Sequence, residues 1–258
     1  LFKIISIALW LAIKRFFLFR GKFMLQITPI PALSDNYIWL IQQNDQAIIV
    51  DPSESRPVLD YLAKHSLNLT ACLLTHHHSD HVGGLDEIKA HYPHLTIYGP
   101  EECAKWATEI VLPEMHLTLF DYDVRIIDSA GHTEGQISYL FGNEYLFCGD
   151  ALFSGGCGHV FTGDYQAQFD TLQRFKALPS FVEIFPAHEY TISNLRFAEK
   201  VMPPSCALFE AQERAEILQS RKQPTLPTTL EKELTINPFL QAVDLAQFIT
   251  LRQQTDQA

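Results

Sequence analysis

The chain is poor in cysteine, poor in basic residues relative to acidic ones, and has no apolar run long enough to span a bilayer. Its five cysteines, Cys72, Cys103, Cys148, Cys157 and Cys206, are odd in number and form no C-x-x-C pair. That argues against a disulfide scaffold and fits a reducing compartment, so a cytoplasmic location is expected. Lys and Arg total 19 against 30 Asp and Glu, a formal charge of −11. A nucleic-acid surface needs clustered cations, so no nucleic-acid partner is expected. A small anionic ligand is not excluded, because a few local cations can serve one. The apolar stretch from Ile4 to Ile13 falls short of the ~20 residues a spanning helix needs, and Lys14-Arg15 interrupt it. Internal repeats and low-complexity tracts are also missing.

Residues 1–23 differ from the rest. They carry five basic residues and no acid, which leaves 14 basic against 30 acidic residues in 24–258, a charge of −16. No small-residue cleavage site follows them, and Met24 stands immediately before a strand-like stretch. The stretch reads as an over-extended start. The functional alternative is a basic, aromatic anchor at a membrane surface. Elsewhere no membrane partner is expected.

What is present is material for a core: 47% hydrophobic and 12% aromatic residues in 258, enough for one large domain with a small appendage. Short apolar runs split by turn residues predict strands at Leu25–Ile30, Tyr37–Gln42, Ala47–Asp51, Ala71–Thr75, Thr96–Tyr98, Leu117–Phe120, Val124–Ile127, Ile137–Phe141, Tyr145–Cys148 and Val182–Phe185. Helical spacing appears at Arg56–His65, Leu85–His91 and Ala167–Leu178. From Ser193 onward the strand signal is gone, and Leu195–Met202, Ala207–Arg221, Leu230–Leu234 and Leu240–Gln253 suit helices. Strands alternating with helices, then helices alone, imply an α/β body over 24–190 and a small all-helical domain over 191–258.

The chemistry concentrates in Thr75-His76-His77-His78-Ser79-Asp80-His81. In extended chain, side-chain direction repeats every two residues, so His76 and His78 project to one side. His77 and Ser79 point the other way and read as non-ligands. Asp80 and His81 follow where the chain turns into a helix. Three imidazoles and a carboxylate this close suit zinc or a similar metal. A polar loop with scattered histidines is the bland alternative, and desolvating that many imidazoles without a partner is costly. Further ligands should come from other strand ends. His132, between Gly131 and Gly135, Asp150 after Tyr145–Cys148, and His188 after Val182–Phe185 stand at such positions. The flanking glycines would let the backbone bend close to an ion, and a carboxylate at Asp150 has two oxygens with which to bridge two ions.

This arrangement resembles the metallo-β-lactamase superfamily and, within it, the hydroxyacylglutathione hydrolase (glyoxalase II) family. The motifs that carry it are Ile30-Pro31-Ala32-Leu33-Ser34-Asp35-Asn36-Tyr37, the histidine loop, Gly131-His132-Thr133, Cys148-Gly149-Asp150, Gly155-Gly156-Cys157-Gly158, His188-Glu189-Tyr190-Thr191 and Asn237-Pro238-Phe239-Leu240. They run from Met24 to about Gln241. The resemblance implies an αββα sandwich and two divalent metals, zinc foremost, with iron or manganese accepted by the same ligands. It assigns His76, His78 and His132 to one metal, Asp80, His81 and His188 to the other, and Asp150 to the bridge. Asp51 would orient a ligand histidine. Paired cations would lower the pKa of a shared water, and the resulting hydroxide, aimed by Asp80, would attack a thioester carbonyl. The implied reaction turns S-D-lactoylglutathione into glutathione and D-lactate, the second step of methylglyoxal detoxification. A monomer acting on a small glutathione thioester is expected.

The match departs at the substrate grip. The family's basic residue after Gly-Cys-Gly is His159 here, its Tyr two residues on is Phe161, and its Arg after Asn-Pro-Phe-Leu is Gln241. Tyr190 is retained. Losing permanent cations removes charge-assisted hydrogen bonds of ~1.5–3 kcal/mol each, so weaker glutathione affinity or a shifted thioester preference is expected. Rival readings are a persulfide dioxygenase-like enzyme with one iron, a β-lactamase (which usually carries Cys at the Asp150 position), a nuclease disfavoured by the charge, and a non-catalytic metal module. Cys148 reads as buried in its strand, and Gln136 has no assigned role.

Overall fold

A computed structural model describes residues 25–257. The basic stretch 1–23 lies outside the described residues. Two six-stranded sheets carry the fold. The first runs in order β1 (Gln26–Ala32), β2 (Asn36–Gln43), β3 (Gln46–Val50), β4 (Asn68–Leu73), β5 (Thr96–Gly99) and β6 (Glu109–Ile110). The second runs β12 (Thr228–Thr229), β11 (Glu183–Pro186), β10 (Tyr145–Gly149), β9 (Ile137–Phe141), β8 (Tyr122–Asp128) and β7 (His116–Leu119). Pairing is antiparallel where a tight turn joins neighbours, as in β1–β2 and β7–β8. It is parallel in β3–β4 and β4–β5. Parallel neighbours need a crossover. These are α1 (Ser55–His65) in the first case, and α2 (Ser79–Val82) with α3 (Leu85–His91) in the second.

The layering follows from which face each side chain occupies. In β2, Trp39 and Ile41 point between the sheets, where they meet Ile126, Tyr139, Phe147 and Phe185. Their alternates Ile38 and Leu40 face outward against Val58 and Leu62 of α1 and Leu85 and Ile88 of α3. Strands covered on both faces read as continuous apolar runs, as these do. Outside the second sheet, Leu140, Leu146 and Ile184 pack on α4 (Tyr165–Lys176), α8 (Pro238–Gln241) and α9 (Leu245–Asp256). The result is helix, sheet, sheet, helix. A smaller apolar cluster joins α5 (Thr191–Val201), α6 (Cys206–Ser220) and the end of α7 (Leu230–Ile236).

Two details of the C-terminal third differ from the reading of pattern alone. Thr228–Thr229 pairs antiparallel with β11, so the helical region is hydrogen-bonded into the body's sheet. Two residues carry no periodic signal. The predicted helix Leu240–Gln253 is broken into α8 and α9. Asn237 caps Phe239 N–H with Pro238 in the first turn, and Asp244 opens a second helix by accepting from Gln247 N–H. Side-chain acceptors of this kind start new helices and compete with continuation of the old one. The short β6 was also not anticipated.

Phe147 is fully buried and stacks on Phe185 with ring centroids 4.8 Å apart. Phe147→Ala is expected to cost ~3–5 kcal/mol through lost transfer energy and a cavity. A thermal melt should show a midpoint lowered by ~2–4 °C per kcal/mol.

Candidate metal centre

Every residue singled out as a metal ligand leaves the end of a strand at one rim of the sandwich. Asp51 follows β3, the histidine loop follows β4, His132 follows β8, Asp150 follows β10 and His188 follows β11. Residues far apart in sequence therefore meet. The ligand atoms of His76, His78 and His132 all lie within 4.8 Å of one another, and so do those of Asp80, His81 and His188. His78 Nδ1 is 3.1 Å from His76 Nε2 and 3.0 Å from His132 Nε2. A tetrahedral ion with bonds of ~2.0–2.1 Å holds its ligand nitrogens about this far apart.

Asp150 lies between the two groups. Its Oδ1 is 3.4 Å from His81 Nε2, and its Oδ2 is 3.5 Å from His132 Nε2 and 3.4 Å from His188 Nε2. Asp80 Oδ2 stands 3.4 Å from His188 Nε2 and 3.7 Å from His81 Nε2. His81 Nε2 and Asp150 Oδ1 are wholly buried, and neither makes a satisfactory hydrogen bond. Leaving such groups unpartnered costs ~1–3 kcal/mol each, more if charged. A set of imidazole nitrogens and carboxylate oxygens with two atoms left over is what a pair of borderline divalent ions would satisfy.

The opposite nitrogens of four of these rings are held in place. Asp51 accepts from Thr75 N–H at 2.8 Å, from Thr75 Oγ1 at 2.7 Å and from His81 Nδ1 at 3.1 Å. Thr75 Oγ1 in turn accepts from His76 Nδ1 at 3.0 Å. Asp51 thus orients one imidazole in each group. It also lies close to His76 and His81, but both of its oxygens already accept hydrogen bonds. His132 Nδ1 donates to the His159 carbonyl at 2.8 Å. His188 Nδ1 donates to Asp35 Oδ1 at 2.8 Å, and Asn36 Nδ2 donates to the Asp80 carbonyl at 3.0 Å.

Charge follows from these contacts. Burial, then repulsion from His81, holds His76 well below the usual imidazole range. Burial also lowers His132 and His78. Burial alone would lower His81 and His188 as well, but Asp150 and Asp51 carry His81 up to about 10, and Asp150, Asp80 and Asp35 carry His188 up to about 11. His188 in turn depresses Asp80 below the carboxylate range. Burial would raise Asp150, yet His81 and His188 hold it well below its ordinary value. Burial, then Asp35, raises Tyr190, which keeps its proton at neutral pH.

The centre opens into a cavity of about 400 Å³ that also reaches Phe153, His159, Phe161 and Tyr190. A larger cavity, about 710 Å³, lies between β1 and α5 and includes none of the two ligand groups. The smaller one adjoins the chemistry. Tyr190 stacks flat on His188, centroids 4.8 Å apart, and Phe161 stands edge-on to His78 and His132. His159 is turned toward Asp256, Nδ1 to Oδ1 2.9 Å. Gln241 does not line the cavity. Its amide donates to the carbonyls of Leu234 and Thr235 and so finishes α7. Ser79, expected to face away, lines the cavity, because the strand-like alternation ends at His78 and a helix begins. His77 is exposed and sits 3.2 Å from Glu102. Cys148 is fully buried in β10, and Gln136 Nε2 donates to its carbonyl. The glycines around His132 serve packing rather than closeness to an ion. At Gly131, with φ +136°, a Cβ would meet Gln168 of α4 at 2.4 Å, and at Gly135 it would meet Glu102 at 2.9 Å.

Three residues that matter here were not singled out from sequence. Asp35 and Asn36 sat within a recognised motif but looked like turn residues. Glu102 accepts from Thr133 Oγ1 at 2.7 Å and Gly135 N–H at 2.8 Å while facing His77, and so joins the two loops that supply His76, His78 and His132. An acid in a short 3₁₀ turn, Glu101–Cys103, gives no signal of that.

Residues 33–188 match the family model of the metallo-beta-lactamase superfamily, the class that a two-sheet sandwich with this histidine-rich rim defines. Residues 189–258 match the model of the hydroxyacylglutathione hydrolase C-terminus. The hydroxyacylglutathione hydrolase of Actinobacillus pleuropneumoniae serotype 5b (strain L20) is 74% identical over 90% of this chain and 99% of its own length. That of Glaesserella parasuis serovar 5 (strain SH0165) is 63% identical over the same shares. Among solved structures, ETHE1 from Myxococcus xanthus shares the fold, with a TM-score of 0.67 at 22% identity and 90% of each chain covered. The chain belongs to the hydroxyacylglutathione hydrolase family of the metallo-β-lactamase superfamily.

Asp51→Asn keeps the shape but weakens the acceptor for His81 and Thr75. Metal affinity, measured against a competing chelator, is expected to fall ~10–100-fold. Because His81 and His188 titrate far above neutrality without metal, binding should expel protons and strengthen as pH rises. Binding heats measured in two buffers of different ionisation enthalpy should therefore differ, and identical heats would contradict the assignment.

Proposed function

We propose that this chain hydrolyses S-(2-hydroxyacyl)glutathione thioesters, S-D-lactoylglutathione among them, to glutathione and a 2-hydroxy acid such as D-lactate, the second step of methylglyoxal detoxification. One observation carries the choice of substrate. The rim of a metallo-β-lactamase sandwich serves many reactions, but here residues 189–258 match the hydroxyacylglutathione hydrolase C-terminus. The relatives at 63–74% identity bear that enzyme's name over nearly their full length.

His76, His78 and His132 would hold one divalent ion, Asp80, His81 and His188 the other, with Asp150 shared. Zinc is the first choice, and iron or manganese suits the same donors. When bound, the pair supplies Lewis acidity and a water acidic enough to act as nucleophile near neutral pH. The chain's own residues supply the rest. Asp80 is ionised at neutral pH and presents an acceptor that aims the attacking water's proton. Asp51, Asp35 and the His159 carbonyl fix the imidazole rings, so no reorganisation is needed as charge develops. Tyr190, neutral and stacked on His188, keeps a hydroxyl at the cavity wall for the substrate's peptide groups. Phe161, 66% exposed, offers an apolar face at the mouth. The departing group is a thiol of pKa near ~8.5, so expulsion needs little proton donation. Free cysteines, four of them buried, support a reducing, cytoplasmic setting.

A second reading concerns affinity. Among the described residues, no Lys or Arg lines the 400 Å³ cavity. His159 already faces Asp256, and Gln241 is engaged elsewhere. This favours a weak hold on the glycine carboxylate, or a thioesterase of altered preference. A single-iron dioxygenase is disfavoured by seven convergent donors.

Chelation is expected to abolish lactoylglutathione hydrolysis, and zinc to restore it. Activity untouched by thorough metal removal would refute the proposal. KM should change little when the substrate's glycine carboxylate is removed. His159→Arg should lower KM for lactoylglutathione about 10–150-fold by adding a charge-assisted bond of ~1.5–3 kcal/mol.

A further inference from the structure

Three side chains of the C-terminal helical region grip one loop, and that loop touches a metal ligand. The loop is 153–159. Glu233, fully buried in α7, accepts from Ser154 Oγ and Gly155 N–H, each at 2.8 Å. Asn237 Nδ2 donates to the carbonyls of Phe153 at 3.1 Å and Gly156 at 2.9 Å. Arg252 Nη1, from α9, donates to the Cys157 carbonyl at 2.7 Å. Arg252 is only 5% exposed. Its Nε and Nη2 are 3.0 and 2.9 Å from Asp256 Oδ1, and its guanidinium lies over the Phe239 ring. Asp256 also takes His159 Nδ1, so the helix holds the loop at two neighbouring points.

The loop has no slack on its other side. His159 O accepts from His132 Nδ1 at 2.8 Å. At Gly158, between Cys157 and His159, a Cβ would stand 2.0 Å from the Asp150 carbonyl oxygen and 3.1 Å from His132 Nδ1. The backbone therefore lies directly against both ligand-bearing segments, and only glycine permits that approach.

We infer that Arg252 is a positioning residue for the metal centre: by fixing the Cys157 carbonyl it sets the His159 carbonyl that holds His132 with Nε2 turned toward His78 and Asp150. The inference rests on the metal-centre reading above. It gives the helical region a task besides substrate contact, namely setting the affinity of the His76, His78 and His132 group. The other group owes its orientation to Asp51 and Asp35, which follow β3 and the β1–β2 turn and have no part in the clamp. The effect should fall chiefly on the group that contains His132, although the shared Asp150 also lies against this loop. Loss of an orienting partner typically weakens a metal site ~10–100-fold.

The test is a titration of metal-free full-length protein with zinc or cobalt(II) against a competing chelator, comparing wild type, Arg252→Met and Arg252→Lys. Expected is one equivalent bound as in wild type and the other weakened ~10–100-fold in Arg252→Met, with Arg252→Lys, which keeps one donor, in between. If Arg252→Met fails to fold, judged by circular dichroism, Arg252→Lys is read by the same criterion. Two equivalents bound as in wild type, whatever happens to KM, would overturn the inference. Equal weakening of both would overturn it too, as general loosening. Wild type binding fewer than two equivalents sinks the metal-centre reading itself. Two equivalents without thioester hydrolysis sinks the proposed activity and leaves the role of Arg252 standing.

Discussion

The buried carboxylate of Asp150 is the constraint around which this molecule is organised. It sits 3.4–3.5 Å from three imidazole nitrogens drawn from three separate loops, and one of its oxygens has no hydrogen-bond donor of its own. A charge taken so far from water survives only beside opposite charge. Without ions, His81 and His188 provide it by holding protons. With ions bound, the metals would do so, and the protons would leave. The same cavity is therefore electrostatically tenable in both states, through exchange of one kind of cation for another.

Rigidity comes from the shell around the ligands. Four of the rings are steered by partners on other elements: His81 directly and His76 through Thr75 by Asp51 at the end of β3, His188 by Asp35 in the β1–β2 turn, and His132 by the His159 carbonyl in the loop before α4. Glu102 ties together the loops on either side of His78 and His132. The two sheets explain how these parts meet. Each presents strand ends at the same rim, and the apolar layer between them, with Trp39, Tyr139 and Phe147 fully or nearly fully buried, fixes their spacing.

Much of this was legible in the amino-acid order, and the reasons are physical. The metal-type residues were visible because H-x-H-x-D-H is rare and because lone His and Asp residues stood at strand ends. The α/β body was visible because strand-like runs such as Tyr37–Gln42 alternate with helical spacing, and the αββα layering followed from the family resemblance. What escaped notice is what periodicity cannot encode. Thr228–Thr229 is too short to show alternation, and Asp244 starts a helix inside what reads as a continuous one. Ser79 changed sides because backbone conformation switches after His78. Asp35, Asn36, Glu102 and Arg252 act through contacts with residues distant in sequence, and an isolated Asp or Arg carries no mark of its distant partner.

The pairing of Asp35 with His188, 153 residues apart, has a bearing on how the chain comes to be made. Synthesis proceeds from the N-terminus, and domains generally fold as units while the chain emerges. The first sheet with its histidine loop is complete long before residue 188 leaves the ribosome, and Arg252 arrives last of all. During that interval His76, His78, Asp80 and His81 would make up only part of the proposed metal site, before its remaining donors exist. An ion captured at that stage would be chosen by cellular supply and exchange rather than by the finished cage.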